Sequence, residues 1–199
     1  MSATTKQSPP NIYLVGFMGV GKSAIGKRLA QHLGFTFVDS DHAIEKIQDK
    51  SISEIFAVEG EPVFRKMEQD FIESGHPPHS TIVSCGGGLA CQPGMPEKLS
   101  SKGLVFCLFA SLETILERTS RNNNRPLLAG DDKEKKIRTL LAEREPLYRQ
   151  VGISISTEGR SIPDVVKSIT RAYQNRLREQ GIAFKPQRPH RTRRAQSNQ

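Results

Sequence analysis

The chain has 199 residues, 36% of them hydrophobic and 25% charged, which leaves room for one compact domain and excludes two full ones at roughly 100 to 200 residues each. With 29 Lys+Arg against 21 Asp+Glu the formal net charge is +8, and taken alone that balance points to a polyanionic partner such as nucleic acid. The charge is uneven, however: residues 182–199 hold five Lys+Arg and no acid, residues 1–10 hold Lys6 alone, and residues 11–181 keep only +2. The apolar stretches, such as residues 104–110, fall far short of the roughly 18 residues of a membrane span, and no membrane partner is expected. Residues 1–11 lack the apolar core of a secretory signal, and the three cysteines have no metal-ligand spacing. The expectation is a cytoplasmic protein with reduced thiols, Cys85 and Cys107 being core residues because they lie in apolar runs.

In chain order, residues 12–15 are uniformly apolar and read as a buried strand. Directly after it stands Gly16-Phe17-Met18-Gly19-Val20-Gly21-Lys22-Ser23, a complete G-x-x-x-x-G-K-[ST] motif. Residues 23–33 follow as an amphipathic helix, with Ile25, Leu29 and Leu33 spaced by four. In this strand, loop and helix context, backbone N–H groups turn inward on phosphate oxygens and the helix directs its positive N-terminal end at them. Lys22 is placed to reach the β- and γ-phosphates of a nucleoside triphosphate, and the Ser23 hydroxyl to ligate Mg²⁺. A glycine-rich turn with no ligand is the competing reading.

A second strand over 35–38 ends at Asp39-Ser40-Asp41. Carboxylates at the carboxyl end of a parallel strand lie beside the phosphate loop, where one can serve the metal shell and another can orient or deprotonate a hydroxyl. Asp39 or Ser40 can equally cap a helix starting near Asp41. Arg65 lies in a helical segment, where solvated surface charge is the plain alternative. A third strand over 81–85 runs into Gly86-Gly87-Gly88, whose bare backbone suits close approach of a substrate. A strand over 104–109 and a helix over 111–119 precede a polar loop over 120–132, with Asn122, Asn123, Asn124, Pro126 and Gly130, long enough to be a lid. Within it Arg125 could close onto a transferring phosphate. A helix over 132–148 carries Arg144, which like Arg65 is either surface charge or a guanidinium fork for a carboxylate or phosphate. A strand over 153–156 and a helix over 162–178 complete the pattern, and residues 182–199 read as a disordered basic tail. The expected organisation is a disordered extension over 1–10, one domain over 11–181 with its lid at about 119–132, and the tail. Strands alternating with helices imply a three-layer α/β/α fold around a central parallel five-stranded sheet, with ligands at the carboxyl ends of the strands.

These pieces in this order resemble the shikimate kinase family, from about Asn11 to Tyr173: GFMGVGKS, the strand ending DSD, GEPVFRKME, GGG, RPLLAG and REPLYRQV. The resemblance implies a P-loop kinase fold of the nucleoside-monophosphate-kinase type. It also implies transfer of the ATP γ-phosphate to the 3-hydroxyl of shikimate, in the pathway to aromatic amino acids. By position it assigns nucleotide contacts to Gly19, Val20, Gly21, Lys22, Ser23 and Ala24, metal ligation to Ser23, and a water-mediated metal contact to Asp39. Asp41 looks like the family's residue that binds shikimate hydroxyls and serves as base, and Arg65 and Arg144 look like its carboxylate-binding pair. Gly87, within Gly86–Gly88, matches the substrate-contacting glycine. Arg125 matches the lid arginine over the phosphates, and Arg118 matches an arginine stacked on adenine, with a further adenine contact near Arg160. The implied partners are ATP, Mg²⁺ and shikimate, with a monomeric state and no specific nucleic acid. Two alternatives stay open at this point: a kinase for another small polar acceptor such as gluconate, and a catalytically silent P-loop module acting through its basic tail.

Overall fold

The computed structural model describes residues 8–120 and 132–184. Its centre is a parallel sheet of five strands, β1 (Asn11–Val15), β2 (Thr36–Asp39), β3 (Thr81–Ser84), β4 (Gly103–Phe109) and β5 (Ile153–Ser156), in the order β2-β3-β1-β4-β5. The helices are α1 (Lys22–Leu33), α2 (Ser40–Gln48), α3 (Ile52–Val58), α4 (Glu61–Ser74), α5 (Met95–Lys102), α6 (Leu112–Ser120), α7 (Lys133–Tyr148) and α8 (Ile162–Glu179).

β1 is buried along its whole length, which explains its uninterrupted apolar run: a central parallel strand is covered on both faces and shows no polar alternation. Successive side chains serve opposite layers. Leu14 packs against Gly26 of α1, and α1 packs on α8. Tyr13 turns the other way, edge-on to His76 just beyond α4. β5, at the sheet edge, has Ser154 and Ser156 exposed between the half-buried Ile153 and Ile155. Cys85 and Cys107 are buried as the apolar runs around them imply.

The helix expected near Asp41 is α2, and two helices absent from the expected pattern, α3 and α5, lie in the connections after β2 and β3. Each is short, and α3 is secured by a reciprocal cap in which Ser51 Oγ accepts from Glu54 N and Glu54 accepts from Ser51 N. The chain is also ordered beyond the expected boundaries of 11 and 181. Ser80 N donates to Pro9 O and Tyr173 Oη donates to Pro10 O. Past Gly181, Ile182 N bonds Leu177 O at 2.8 Å, and Phe184 stands edge-on to Phe35 and Tyr173 at 5.7 and 5.5 Å. Two apolar side chains ahead of the basic stretch are enough to hold the chain on the core, so the folded unit runs to at least Phe184.

Candidate active site

The parallel register brings three strand ends to one place. Leu14 of β1 and Asp39 of β2 both pair with Ser84 of β3, so the loop leaving β1, the acidic end of β2 and the glycine turn after β3 converge. The β1–α1 loop is completed by Gly21, whose φ of +97° lies in the left-handed region that glycine adopts without strain. Lys22 Nζ donates to Gly16 O at 2.7 Å and Phe17 O at 3.0 Å, which ties the end of the loop back to its start. Ser23 Oγ donates to Asp39 Oδ2 at 2.7 Å and lies 3.3 Å from Ser84 Oγ.

The alternative role for Asp39 is therefore not filled: it stands at the N-cap of α2, but its carboxylate makes no capping bond there and faces Ser23. Ser40, fully buried, links the next two pieces, accepting from Gly86 N at 2.9 Å and donating to Asp41 Oδ1 at 3.3 Å. Glycines are required in the turn because side chains crowd it. A Cβ on Gly86 would stand 2.5 Å from both Asp41 Oδ1 and Glu68 Oε1, and one on Gly88 2.7 Å from Arg65 Nη2.

Two cavities meet at these residues. One, of about 340 Å³, is lined by Gly19, Gly21, Lys22, Ser23, Ala24 and Asp39, with Arg118 at its side. The other, of about 270 Å³, is lined by Arg65, Glu68, Gly86, Gly88 and Arg144, with Phe56 and Phe64 as an apolar wall. Asp41 and Gly87 belong to both. Val20, itself buried, faces a third hollow beside the loop, shared with Arg118 and Arg160. Arg118 reaches back over the loop, with Nη1 3.3 Å from Gly19 O and from Thr157 Oγ1.

Arg65 is held from its own helix. It ion-pairs with Glu61 at 2.6 Å and with Glu68 at 2.7 Å. Burial pushes the Glu68 carboxyl up to about 7 against the pull of Arg65. Arg144 approaches from α7, its Nη1 3.4 Å from Gly87 O, and the Tyr148 hydroxyl donates to the same carbonyl. Of the expected site residues, Gly19, Val20, Gly21, Lys22, Ser23, Ala24, Asp39, Asp41, Arg65, Gly86, Gly87, Gly88, Arg118 and Arg144 line this run of cavities. Arg125 and most of the expected lid lie outside the described residues. Glu68, Ser84 and Tyr148 were not singled out from the sequence, and Ser40 was weighed only as a cap. Each matters through a partner at least 24 positions away, and nothing in its immediate neighbours signals that.

The geometry, a phosphate-type loop opening onto a second pocket with two arginines and a carboxylate at the junction, can be set beside known proteins. The family model described as shikimate kinase matches residues 18–174. The shikimate kinase of Thermodesulfovibrio yellowstonii is 41% identical over 164 residues, covering 82% of this chain and 95% of that one. The structure of shikimate kinase from Acinetobacter baumannii in complex with shikimate superposes with a TM-score of 0.79 at 38% identity, over 84% of this chain and 94% of that one. A gluconokinase from Sinorhizobium meliloti shares the fold at a TM-score of 0.55 but only 14% identity, a likeness of architecture alone. With the family model matched over residues 18–174 and a curated relative 41% identical over 82% of this chain, the chain belongs to the shikimate kinase family.

Proposed function

We propose that this protein transfers the γ-phosphoryl group of ATP to the 3-hydroxyl of shikimate, giving shikimate 3-phosphate and ADP. The observation that carries the reading is the shared wall of the two cavities. Asp41 and Gly87 border both, so a hydroxyl held at Asp41 faces the phosphates held by the β1–α1 loop. Phosphoryl transfer asks mainly for positioning and charge neutralisation. Backbone N–H groups of residues 16–23 and the N-terminus of α1 bind the phosphates, and Lys22 supplies the positive charge next to them. Asp41 orients the acceptor hydroxyl and accepts its proton as the oxygen bonds to the γ-phosphorus and the bond to the bridging oxygen of ADP breaks. Arg65 and Arg144, both lining the acceptor cavity, hold the acceptor's carboxylate, since a guanidinium forks naturally onto two carboxylate oxygens. Arg125 covers the phosphates from the expected lid, and Arg118 and the region of Arg160 flank the nucleotide base.

Mg²⁺ fits the donors present. Ser23 Oγ and Asp39 Oδ2 are hard oxygen donors 2.7 Å apart at the phosphate loop. Among the described residues no group of three or more His, Cys, Asp or Glu could hold a metal unaided, which suits an ion taking one or two protein oxygens and completing its shell with phosphate and water. When bound, it would neutralise charge on the β- and γ-phosphate oxygens. Free Cys85, Cys91 and Cys107 support a cytoplasmic setting.

The test is an ADP-release assay with shikimate and gluconate side by side. Turnover with shikimate and little with gluconate is expected. Efficient phosphorylation of gluconate with none of shikimate would transfer the reading to the other acceptor.

A further inference from the structure

The acceptor cavity contains a carboxylate to which the proposed reaction gives no task. Glu68 is fully buried, at 0% exposure. Its Oε2 accepts from Arg65 Nη1 and from Gln92 Nε2, each at 2.7 Å, whereas Oε1 has no hydrogen-bond partner among the described residues. A carboxylate oxygen at that depth without a donor is costly while it shares a negative charge, and a proton on it removes most of that cost.

Negative charge is concentrated around it. Asp41 Oδ1 and Glu68 Oε1 press on the same point from α2 and α4, each 2.5 Å from the Cβ position of Gly86. Arg65 serves both Glu61 and Glu68, and Arg144 of α7 is a second cation lining the cavity. Glu45 of α2 lines the same cavity, and the thiols of Cys85, just past β3, and Cys91, in the 3₁₀ turn at Leu89–Cys91, interact with Glu68. Burial pushes both thiols up, so both stay neutral near pH 8 and neither competes for the proton. Burial likewise pushes Glu68 up to about 7 against the pull of Arg65, with Asp41 adding to the rise.

An acceptor carboxylate docked on Arg65 and Arg144 adds one more negative charge to Asp41, Glu61 and Glu68 and takes part of the guanidinium that Glu68 uses. We infer that Glu68 takes up a proton from solvent when the acceptor's carboxylate binds, so that acceptor affinity is linked to the protonation of a positioning residue acting through Arg65. The inference rests on the assignment of the acceptor carboxylate to Arg65 and Arg144. Its sign is fixed by the geometry. The incoming charge weakens the pull of Arg65 on Glu68 and favours the protonated form. At about pH 6 most Glu68 side chains already carry the proton, and at about pH 8 most must gain it on binding. Affinity for shikimate therefore falls between about pH 7 and 9, by at most about tenfold per pH unit.

Calorimetric titration of shikimate into the full chain, in pairs of buffers with different ionisation enthalpies, counts the protons directly. Wild type is expected to take up most of a proton per site at about pH 8 and close to none at about pH 6. Glu68→Gln is expected to take up none at either pH, and its affinity should no longer fall over the alkaline range. No uptake by wild type at about pH 8, or equal uptake by Glu68→Gln, overturns the linkage while leaving shikimate as the acceptor. Absence of shikimate binding at both pH values overturns the acceptor assignment and the linkage with it. Should Glu68→Gln fail to fold, difference infrared spectroscopy on wild type decides the matter. A carboxylic-acid carbonyl band that grows on adding shikimate supports proton uptake, and its absence overturns it.

Discussion

Replacing Arg65 and Arg144 one at a time separates acceptor binding from stability, because the two arginines are anchored differently. Arg65 is 17% exposed and paired with the fully buried Glu68 at 2.7 Å, whereas Arg144 makes a 3.4 Å bond to Gly87 O. A charge-assisted hydrogen bond to the acceptor carboxylate is worth about 1.5–3 kcal/mol. Either alanine variant should therefore raise the KM for shikimate about 10- to 150-fold with the KM for ATP nearly unchanged. Their stabilities should diverge. A buried pair that loses one partner costs about 3–5 kcal/mol if the charge left behind persists. Glu68 is already raised to about 7 by burial, and without Arg65 it rises further, so at neutral pH it protonates and the cost of Arg65→Ala drops to about 1–2 kcal/mol. Arg144→Ala should stay within about 0.5 kcal/mol of wild type. Steady-state kinetics at saturating ATP and urea unfolding measure both quantities. An unchanged KM for shikimate in either variant would refute the carboxylate clamp, and equal destabilisation by both would refute the different anchoring.

Three further outcomes are expected. Asp41→Asn should lower kcat by about 100- to 10,000-fold while nucleotide affinity, measured by titration with an ATP analogue, changes little. A nearly normal kcat would remove Asp41 as the proton acceptor. Burial raises Glu68 from 4.5 to about 7, so between those values the folded protein holds a proton that the unfolded chain has released. Stability from this group is therefore lost as pH rises through that window, by at most about 1.4 kcal/mol per pH unit. Urea unfolding at about pH 5 and 7 should show a shallower dependence for Glu68→Gln, and an identical slope would count against the raised carboxyl. A chain ending at Gly181 loses the Phe184 contacts with Phe35 and Tyr173 and should melt about 2–6 °C lower with turnover unchanged, whereas one ending at Phe184 should match wild type. Lost turnover at unchanged melting temperature would instead connect the tail to catalysis.

What could be read from the sequence divides along one physical line. The β1–α1 loop is contiguous, and its chemistry depends on residues 16–23 in order, so a motif suffices. Asp39 and Asp41 were also legible, because the end of a parallel strand has a fixed place relative to that loop. Glu68 was not. In Phe64-Arg65-Lys66-Met67-Glu68 it looks like an ordinary surface partner for an arginine three positions earlier, and its burial follows only from the return of Gln92 and Gly86 from the β3 turn. Ser40 was weighed only as a cap, whereas its hydroxyl supports the Gly86 amide 46 residues later. Phe184, a lone aromatic ahead of a basic stretch, was assigned to the tail because the pocket between Phe35 and Tyr173 that receives it forms only in the fold. The net charge of +8 likewise changes meaning once placed. Arg65, Arg118 and Arg144 line the cavities where the proposed reaction puts small anions, and most of the excess lies beyond the described residues.

The central claim is that a hydroxyl at Asp41 receives the γ-phosphoryl group of ATP while the acceptor's carboxylate rests on Arg65 and Arg144. Phosphorus NMR of the product formed from ATP and shikimate tests it most directly. The expected products are ADP and a single phosphomonoester whose phosphorus couples to the proton at carbon 3 of shikimate. Inorganic phosphate as the only new signal, or a phosphate at another ring position, would contradict it.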